Sequence, residues 1–313
     1  MIRTNWQGFM LISLSLLTGI TATPAQAANS NHVQQLRETK ECLNCDLSGA
    51  DLSGLDLQRA KLSGSNLIDA NLSGADLRNS DLTGANLTLA DLNNADLESS
   101  TLDQALLLRA DLGDAKLKNA VLTRAVLTHA QLQSADLRDA NLIEAEVSDA
   151  DLSDAKLQRA KLIEANLRNS NLSNVKLQNS RLTQANLSLA NLSAANLSDA
   201  NLSHADLTRA ILNNATLKST NLGATTLRDA QMNETNLRNA NLRQANLRNV
   251  NLRYADLRNA NLSYADLRNA NLLEADLKNA DVTAVELETV ILCRATLPDG
   301  SISDQGCRRR GEQ

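Results

Sequence analysis

A large aliphatic residue recurs at every fifth position from residue 47 to residue 297. Leu fills 48 of these 51 positions, and Val147, Met232 and Val282 fill the rest with similar bulk. No insertion or deletion breaks the phase. A second frame lies two residues ahead of the first: Ala50, Ala60, Ala70, Ala75 and onward. Ala holds 37 of its 51 places, Ser, Thr, Val or Cys nearly all the others, and Leu55 is the one large exception. Asp or Asn stands between the two frames in 32 of 51 units, so the unit reads A-[DN]-L-x-x with two variable polar positions at its end.

A period of five suits neither regular element. On a helix, at ~3.6 residues per turn, residues five apart lie about 140° apart, and the leucines would spiral around the axis. On a strand an odd period sends successive leucines to opposite faces. The chain must turn within every unit to keep them all inside. This predicts an all-β solenoid of short extended segments joined by tight corners, with Leu filling the axis, Ala where larger side chains would crowd it, and three positions facing water.

The repeat stops at both ends. Asn29 to Lys40 lacks it, and Val33 and Leu36 share one face behind Ser30 as N-cap, which predicts a short helix across the first coil. Residues 28–45 read as an N-terminal cap, 46–297 as the repeat body and 298–313 as a C-terminal cap and tail. Pro298-Asp299-Gly300 is a turn signal, and the stretch from Arg308 to Gln313 reads as a fraying polar tail. The four cysteines form one pair at each end. Cys42 and Cys45 occupy the Leu and Ala frames, so both should point inward. Cys293 and Cys307 would close a loop of 15 residues, worth ~3 kcal/mol as a disulfide. Cys42–Cys45 is a tighter and more demanding bridge. A redox role for Cys42-Leu-Asn-Cys45 lacks a βαβ setting, and a four-Cys zinc site would need the two rod ends to meet.

Residues 1–27 read as a secretory signal: Arg3, an apolar stretch of 12 residues from Phe9 to Ile20, and Ala25-Gln26-Ala27 as the cleavage site. The stretch is too short to span a bilayer comfortably. Composition sharpens the picture. Aromatic residues are 1% of the chain, so the core is aliphatic and narrow. The net charge of −5 lacks the basic footprint of a nucleic-acid binder.

The 51 in-phase units, about four fifths of the chain, resemble the pentapeptide-repeat family. That resemblance implies a right-handed quadrilateral β-helix of four units per coil, hence nearly 13 coils and a rod roughly 60 Å long. The segments Glu41 to Ala50 and Cys293 to Ile302 with Cys307 resemble exported members from cyanobacteria and the chloroplast thylakoid lumen, which implies periplasm or lumen.

The residues offer little chemistry. His32, His129 and His204 are too far apart to share a metal or a catalytic triad. Gly49, Gly54, Gly64, Gly74 and Gly84 fall at corners that need a permissive backbone. The column Asp56, Asp76, Asp96, Lys116, Asp136, Lys156, Lys176 reads as a partly self-neutralising charge ladder, with cation binding by its three leading carboxylates as the sharper alternative. Arg228, Arg238, Arg243, Arg248, Arg253, Arg258 and Arg268 spread over all four faces among Asp256, Asp266, Asp276 and Glu274. One departure stands out: Leu89, Leu106, Leu108 and Val126 break the polar rule on one face, and Ile143 and Ile163 on another. A contiguous exposed apolar patch marks an interface. The reading is a non-enzymatic, exported scaffold without cofactor, metal, nucleic acid or membrane insertion. It presents the Leu89/Leu106/Leu108/Val126 face to a protein partner or to a second copy of itself. The alternative that the resemblance carries is a DNA-mimicking inhibitor of DNA gyrase, which the near-balanced charge and the signal sequence disfavour.

Overall fold

The structure is a computed structural model that describes residues 29–307. Residues 1–27, read above as a secretory signal, and the segment from Arg308 onward lie outside the described residues. One helix, α1 (Ser30–Thr39), precedes a rod whose residues pair in parallel with residues 20 further along, from Glu41↔Lys61 to Asp276↔Thr296. Each coil therefore takes four five-residue units, one per side. The 260 residues from Glu41 to Gly300 make 13 coils at 20 residues each. The ladder starts at Glu41, five residues before the boundary read from the leucines, because Cys42 takes the leucine place in the first unit. We number the faces by their first units: face 1 from Glu41, face 2 from Asp46, face 3 from Asp51, face 4 from Asp56.

Hydrogen bonding explains the unit. In Asn191–Ala195, the Asn191 N–H donates to Ser170 O at 2.9 Å in the coil before, while Leu192 and Ala194 donate to Ile211 O and Asn213 O in the coil after. Ala195 N–H closes the corner on Leu192 O at 3.1 Å. The fifth donor, Ser193 N–H, has no backbone acceptor; it bonds Asn191 Oδ1 at 3.1 Å. Asp and Asn are favoured at this place because they reach the N–H two residues on. An unpaired backbone donor is thereby avoided. Stacked Asn side chains then bond one another between coils, as in Asn221 Nδ2 to Asn201 Oδ1 at 3.0 Å and Asn241 Nδ2 to Asn221 Oδ1 at 3.0 Å.

Each corner carries a left-handed residue just before the Ala frame, the sign pattern of a type II turn. This holds in 50 of 51 units, with Thr289 the exception. Gly supplies five of these residues and Asn or Asp 20, so the other 25 bear a penalty of ~1 kcal/mol each that the coil-to-coil ladder must offset. The core is one continuous stack of Leu and Ala, nearly all fully buried. Hydroxyls tolerated in the Ala frame bond back to a corner carbonyl, as Ser80 Oγ does to Leu77 O at 2.6 Å and Thr235 Oγ1 to Met232 O at 2.8 Å.

Helix α1 closes the first coil. Its N-cap is Asn29, not Ser30: Asn29 has the extended backbone and its Oδ1 accepts from Asn31 N–H at 3.1 Å, while Ser30 is already helical. Leu36 is fully buried and Val33 packs beside it. His32 Nδ1 accepts the Asp46 N–H at 3.0 Å, Gln35 donates to Glu41 O at 2.8 Å and Arg37 to Asp51 O at 3.3 Å, in place of an earlier coil. Leu55 is in the Ala frame of the first coil, which has no coil before it, and it is half-buried against the core. At the other end the chain turns back after Gly300. Leu292, Arg294 and Leu297 N–H groups donate to Gln305, Ser303 and Ser301 carbonyls, and Thr296 pairs antiparallel with Ile302. The structure joins Cys42 to Cys45 and Cys293 to Cys307.

Candidate interaction surface

The interior is filled by Leu and Ala, so any site must lie on the four faces or the ends. Among the described residues no group of three or more His, Cys, Asp or Glu could hold a metal. No described helix is long and apolar enough to cross a membrane.

Leu106 bridges Asn86 on one side and Val126 on the other, and the Leu89 N–H donates to Leu108 O at 2.9 Å. Leu89, Leu106, Leu108 and Val126 thus occupy adjacent places on face 2 in consecutive coils. Leu89 is 42% exposed and Leu106 41%, while Leu108 and Val126 are half-buried. Ile68, half-buried, extends this cluster toward α1. The 20-residue spacing would have found it, since Ile68, Thr88 and Leu108 form one column. Ile143 and Ile163 lie in neighbouring coils of face 1, linked by Glu144 N–H to Ile163 O at 3.0 Å, and both are half-buried.

The face 4 aspartates are engaged by cations. Asp56 binds Lys40 at 3.0 Å and Asp96 meets Lys116 at 3.5 Å. Asp76 accepts from Arg78 Nε at 2.8 Å and NH2 at 2.6 Å. The arrangement is a neutralised ladder, with its carboxylate oxygens already bonded. Arg78 holds the Asp76 carboxyl down to about 2 from an ordinary 3.8, despite the opposing effect of burial. Hydrogen bonds from Ser53 and Thr283 likewise lower Asp51 and Asp281. A carboxyl whose folded pKa is depressed adds stability above its unfolded pKa and loses it as pH falls through the folded value. The thermal midpoint should therefore stay level down to pH ~5 and fall between pH ~4 and ~2. Asp76→Asn should flatten part of that acid limb, by about 1 kcal/mol once solvent screening is allowed for. Calorimetric scans across that range test this; a midpoint that drops first between pH 7 and 5 would contradict it.

Charge is unevenly placed around the rod. From Asp51 to Thr235, face 3 carries seven acidic side chains and no Lys or Arg. Face 4 alternates, with Lys116, Lys118, Lys156 and Lys176 among its acids, so the surface is not uniformly acidic. The seven C-terminal arginines fall on all four faces. Arg258 pairs with Asp256 at 2.5 Å and Arg268 with Asp266 at 2.5 Å. His129 and His204 stand at left-handed corners of faces 2 and 1, while His32 serves the N-terminal cap.

Two family models match the chain: pentapeptide repeats (8 copies) over residues 42–68, 70–107, 105–143 and 150–188, and the pentapeptide repeat region over 205–297. The chain belongs to the pentapeptide-repeat family, whose fold is a right-handed β-helix and whose members are generally non-enzymatic structural and interaction proteins. It is similar to HetL, a pentapeptide repeat protein involved in heterocyst differentiation regulation from the cyanobacterium Nostoc sp. strain PCC 7120. That match has 29% identity and a TM-score of 0.46, covering 89% of this chain and 100% of HetL. It is also similar to QnrB1, a plasmid-mediated fluoroquinolone resistance protein, at 18% identity and a TM-score of 0.35, covering 66% of this chain and 88% of that one. A third match is a pentapeptide repeat protein from the Arabidopsis thaliana thylakoid lumen, at 26% identity and a TM-score of 0.14, covering 34% of this chain and 65% of that one. No curated protein sequence matches the chain.

Proposed function

We propose that this protein is an exported, rigid, non-enzymatic scaffold that binds a protein partner through the face 2 patch of Leu89, Leu106, Leu108 and Val126. The observation that carries the reading is the contiguity of that patch. Elsewhere on the rod the same outward columns hold mostly Asn, Asp, Ser, Thr and Arg, as the repeat demands of water-facing places. Exposed aliphatic groups on neighbouring rungs gain from desolvation only when something covers them. The regular ladder beneath holds them in fixed register, so little ordering entropy opposes binding. Export rests on Arg3, the apolar stretch Phe9 to Ile20 and Ala25-Gln26-Ala27, and the oxidised cysteine pairs fit an oxidising compartment such as periplasm or thylakoid lumen.

Placing a photo-crosslinking residue at Leu108, in the native cells, tests the surface. A discrete protein adduct is expected from position 108, lost in Leu106→Asp and absent when the crosslinker stands at Gln178 on face 4. Leu106→Asp should leave the unfolding midpoint within about 0.5 kcal/mol of the parent, because the site faces water. Equal adducts from both positions, or an adduct that survives Leu106→Asp, would remove the proposal. An adduct of twice the chain mass composed only of this protein would assign the patch to self-association.

A further inference from the structure

Face 1 holds a second feature, independent of the apolar patch. In the unit Asn221–Thr225 the two outward turn places are Gly223 and Ala224, the one unit in the repeat where neither carries an atom beyond Cβ. Gly223 does not have a left-handed backbone, and the same column holds Ser203, Arg243 and Ser263 in the neighbouring coils. The backbone therefore does not demand glycine here. A Cβ on Gly223 would meet only Asn221 Oδ1 at 3.2 Å and Asn241 Nδ2 at 3.4 Å as close contacts, both side-chain atoms. The missing side chains leave a shallow notch, open to solvent, lined by Ser203, His204, Asn221, Asn241, Arg243 and Gln244 around Gly223 and Ala224.

The floor of this notch is committed and its walls are not. Asn221 and Asn241 spend their amides on the inter-coil ladder. Arg243 is held from below: its NH1 donates to Ser263 Oγ at 3.2 Å and its guanidinium lies 4.6 Å from the Tyr264 ring centroid. Among the described residues its Nε and NH2 donate to no protein acceptor and it forms no salt bridge; Asp281, two coils further along face 1, feels its charge only at longer range. The His204 ring and the Gln244 side-chain amide are likewise without protein hydrogen bonds among the described residues. No acidic residue lines the notch. A guanidinium fixed on one edge and unbonded on the other presents the planar fork that a carboxylate accepts bidentately. His204 and Gln244 can bond the rest of such a molecule.

We infer that the Gly223/Ala224 notch binds a small organic carboxylate, with Arg243 as its anchor and His204 and Gln244 at its rim. The test is ¹H–¹⁵N NMR titration of the full mature chain with sodium acetate and sodium glucuronate. Glucose is the neutral control and inorganic phosphate the control for any anion. Saturable shifts are expected at the His204, Gly223, Ala224 and Gln244 amides and at Arg243 Nε–H, with glucuronate above acetate and glucose silent. Affinity should fall about tenfold or more in Arg243→Ala. It should fall also in Gly223→Asn and Ala224→Gln, which fill the notch while keeping the arginine. Gln already stands in the column of Ala224, at Gln184 and Gln244, so the second filling variant keeps the fold if the first does not. Absence of saturable shifts would overturn the site, as would undiminished binding in a folded notch-filling variant. Phosphate bound as tightly as glucuronate would overturn the carboxylate assignment.

Discussion

Truncating Leu142 to alanine, midway along the rod, is expected to lower the stability by about 3 kcal/mol in equilibrium urea unfolding. Leu142 is 1% exposed and stacks in the core column that holds Leu122 and Leu162 in the coils on either side. The loss combines the transfer free energy of the removed methyl groups with the void they leave. Collapse around the void is restricted, because the corner carbonyls and the inter-coil ladder hold every neighbouring Leu at a fixed height. The same chemical change at Leu55 should have a markedly smaller effect, since that side chain is only half-buried and lies in the first coil, where no earlier coil confines it. The reverse substitution, Ala140→Leu, tests the other frame. Ala140 is fully buried, and overpacking there is expected to lower stability by about 1–3 kcal/mol. Because each coil contacts only its neighbours, the loss should appear as earlier unfolding of the central coils. Equal losses at Leu142 and Leu55 would show that the capped end confines its side chains as tightly as the central coils do.

How much of this was legible in the sequence depends on which positions had a single physical solution. The Leu and Ala frames did, and they establish an aliphatic solenoid without any structure. Period alone leaves the number of sides open; four follows here from pairing at 20 residues, which only the ladder displays. The Asp and Asn places read as water-facing, but their task is local: they bond the N–H two residues on, as Asp46 Oδ1 does for Ser48. The left-handed corners were signalled by Gly49, Gly54, Gly64, Gly74 and Gly84 and hidden elsewhere by residues such as Leu189, Arg209 and Tyr254, which the ladder forces into that region. The helix cap was misplaced by one residue because Asn29 and Ser30 are both good N-caps, and backbone angle decides between them. The face 2 patch was visible once residues were stacked 20 apart. The face 1 notch was not, because a missing side chain leaves no pattern in the sequence and its walls come from three coils.

Breaking the Cys293–Cys307 link, by reduction or by Cys307→Ser, is expected to release the C-terminal cap. The link spans 14 positions and so closes a loop of 15 residues, worth about 3 kcal/mol in the chain-entropy account. The cap it holds is short. Three donors of the last coil, Leu292, Arg294 and Leu297 N–H, depend on acceptors between Ser301 and Gln305, and the Gln305 side chain bonds Leu287 O at 2.6 Å and Val290 O at 2.9 Å. The coil beneath is already the weakest part of the ladder. The Glu286 side forms no bridge to Asp266, Asn269 N–H turns to Thr289 Oγ1 at 3.1 Å, and Val282, Val285 and Leu287 are only partly buried. Freed of its cap, this end presents an unpaired edge with aliphatic side chains behind it, the arrangement that invites strand pairing with another chain. Hydrogen exchange should then show Leu292, Arg294 and Leu297 amides losing protection while those near Leu142 keep theirs, and light scattering should show slow end-to-end association. Reduction of Cys42–Cys45 should do less, since the opposite end is also closed by Leu36, His32, Gln35 and Arg37 of α1. Protection at Leu292, Arg294 and Leu297 that is unchanged in Cys307→Ser would mean that the backbone pairing alone holds the cap. The acidic residues Asp281, Glu286 and Glu288 along the open sides would then be the features that keep rods apart.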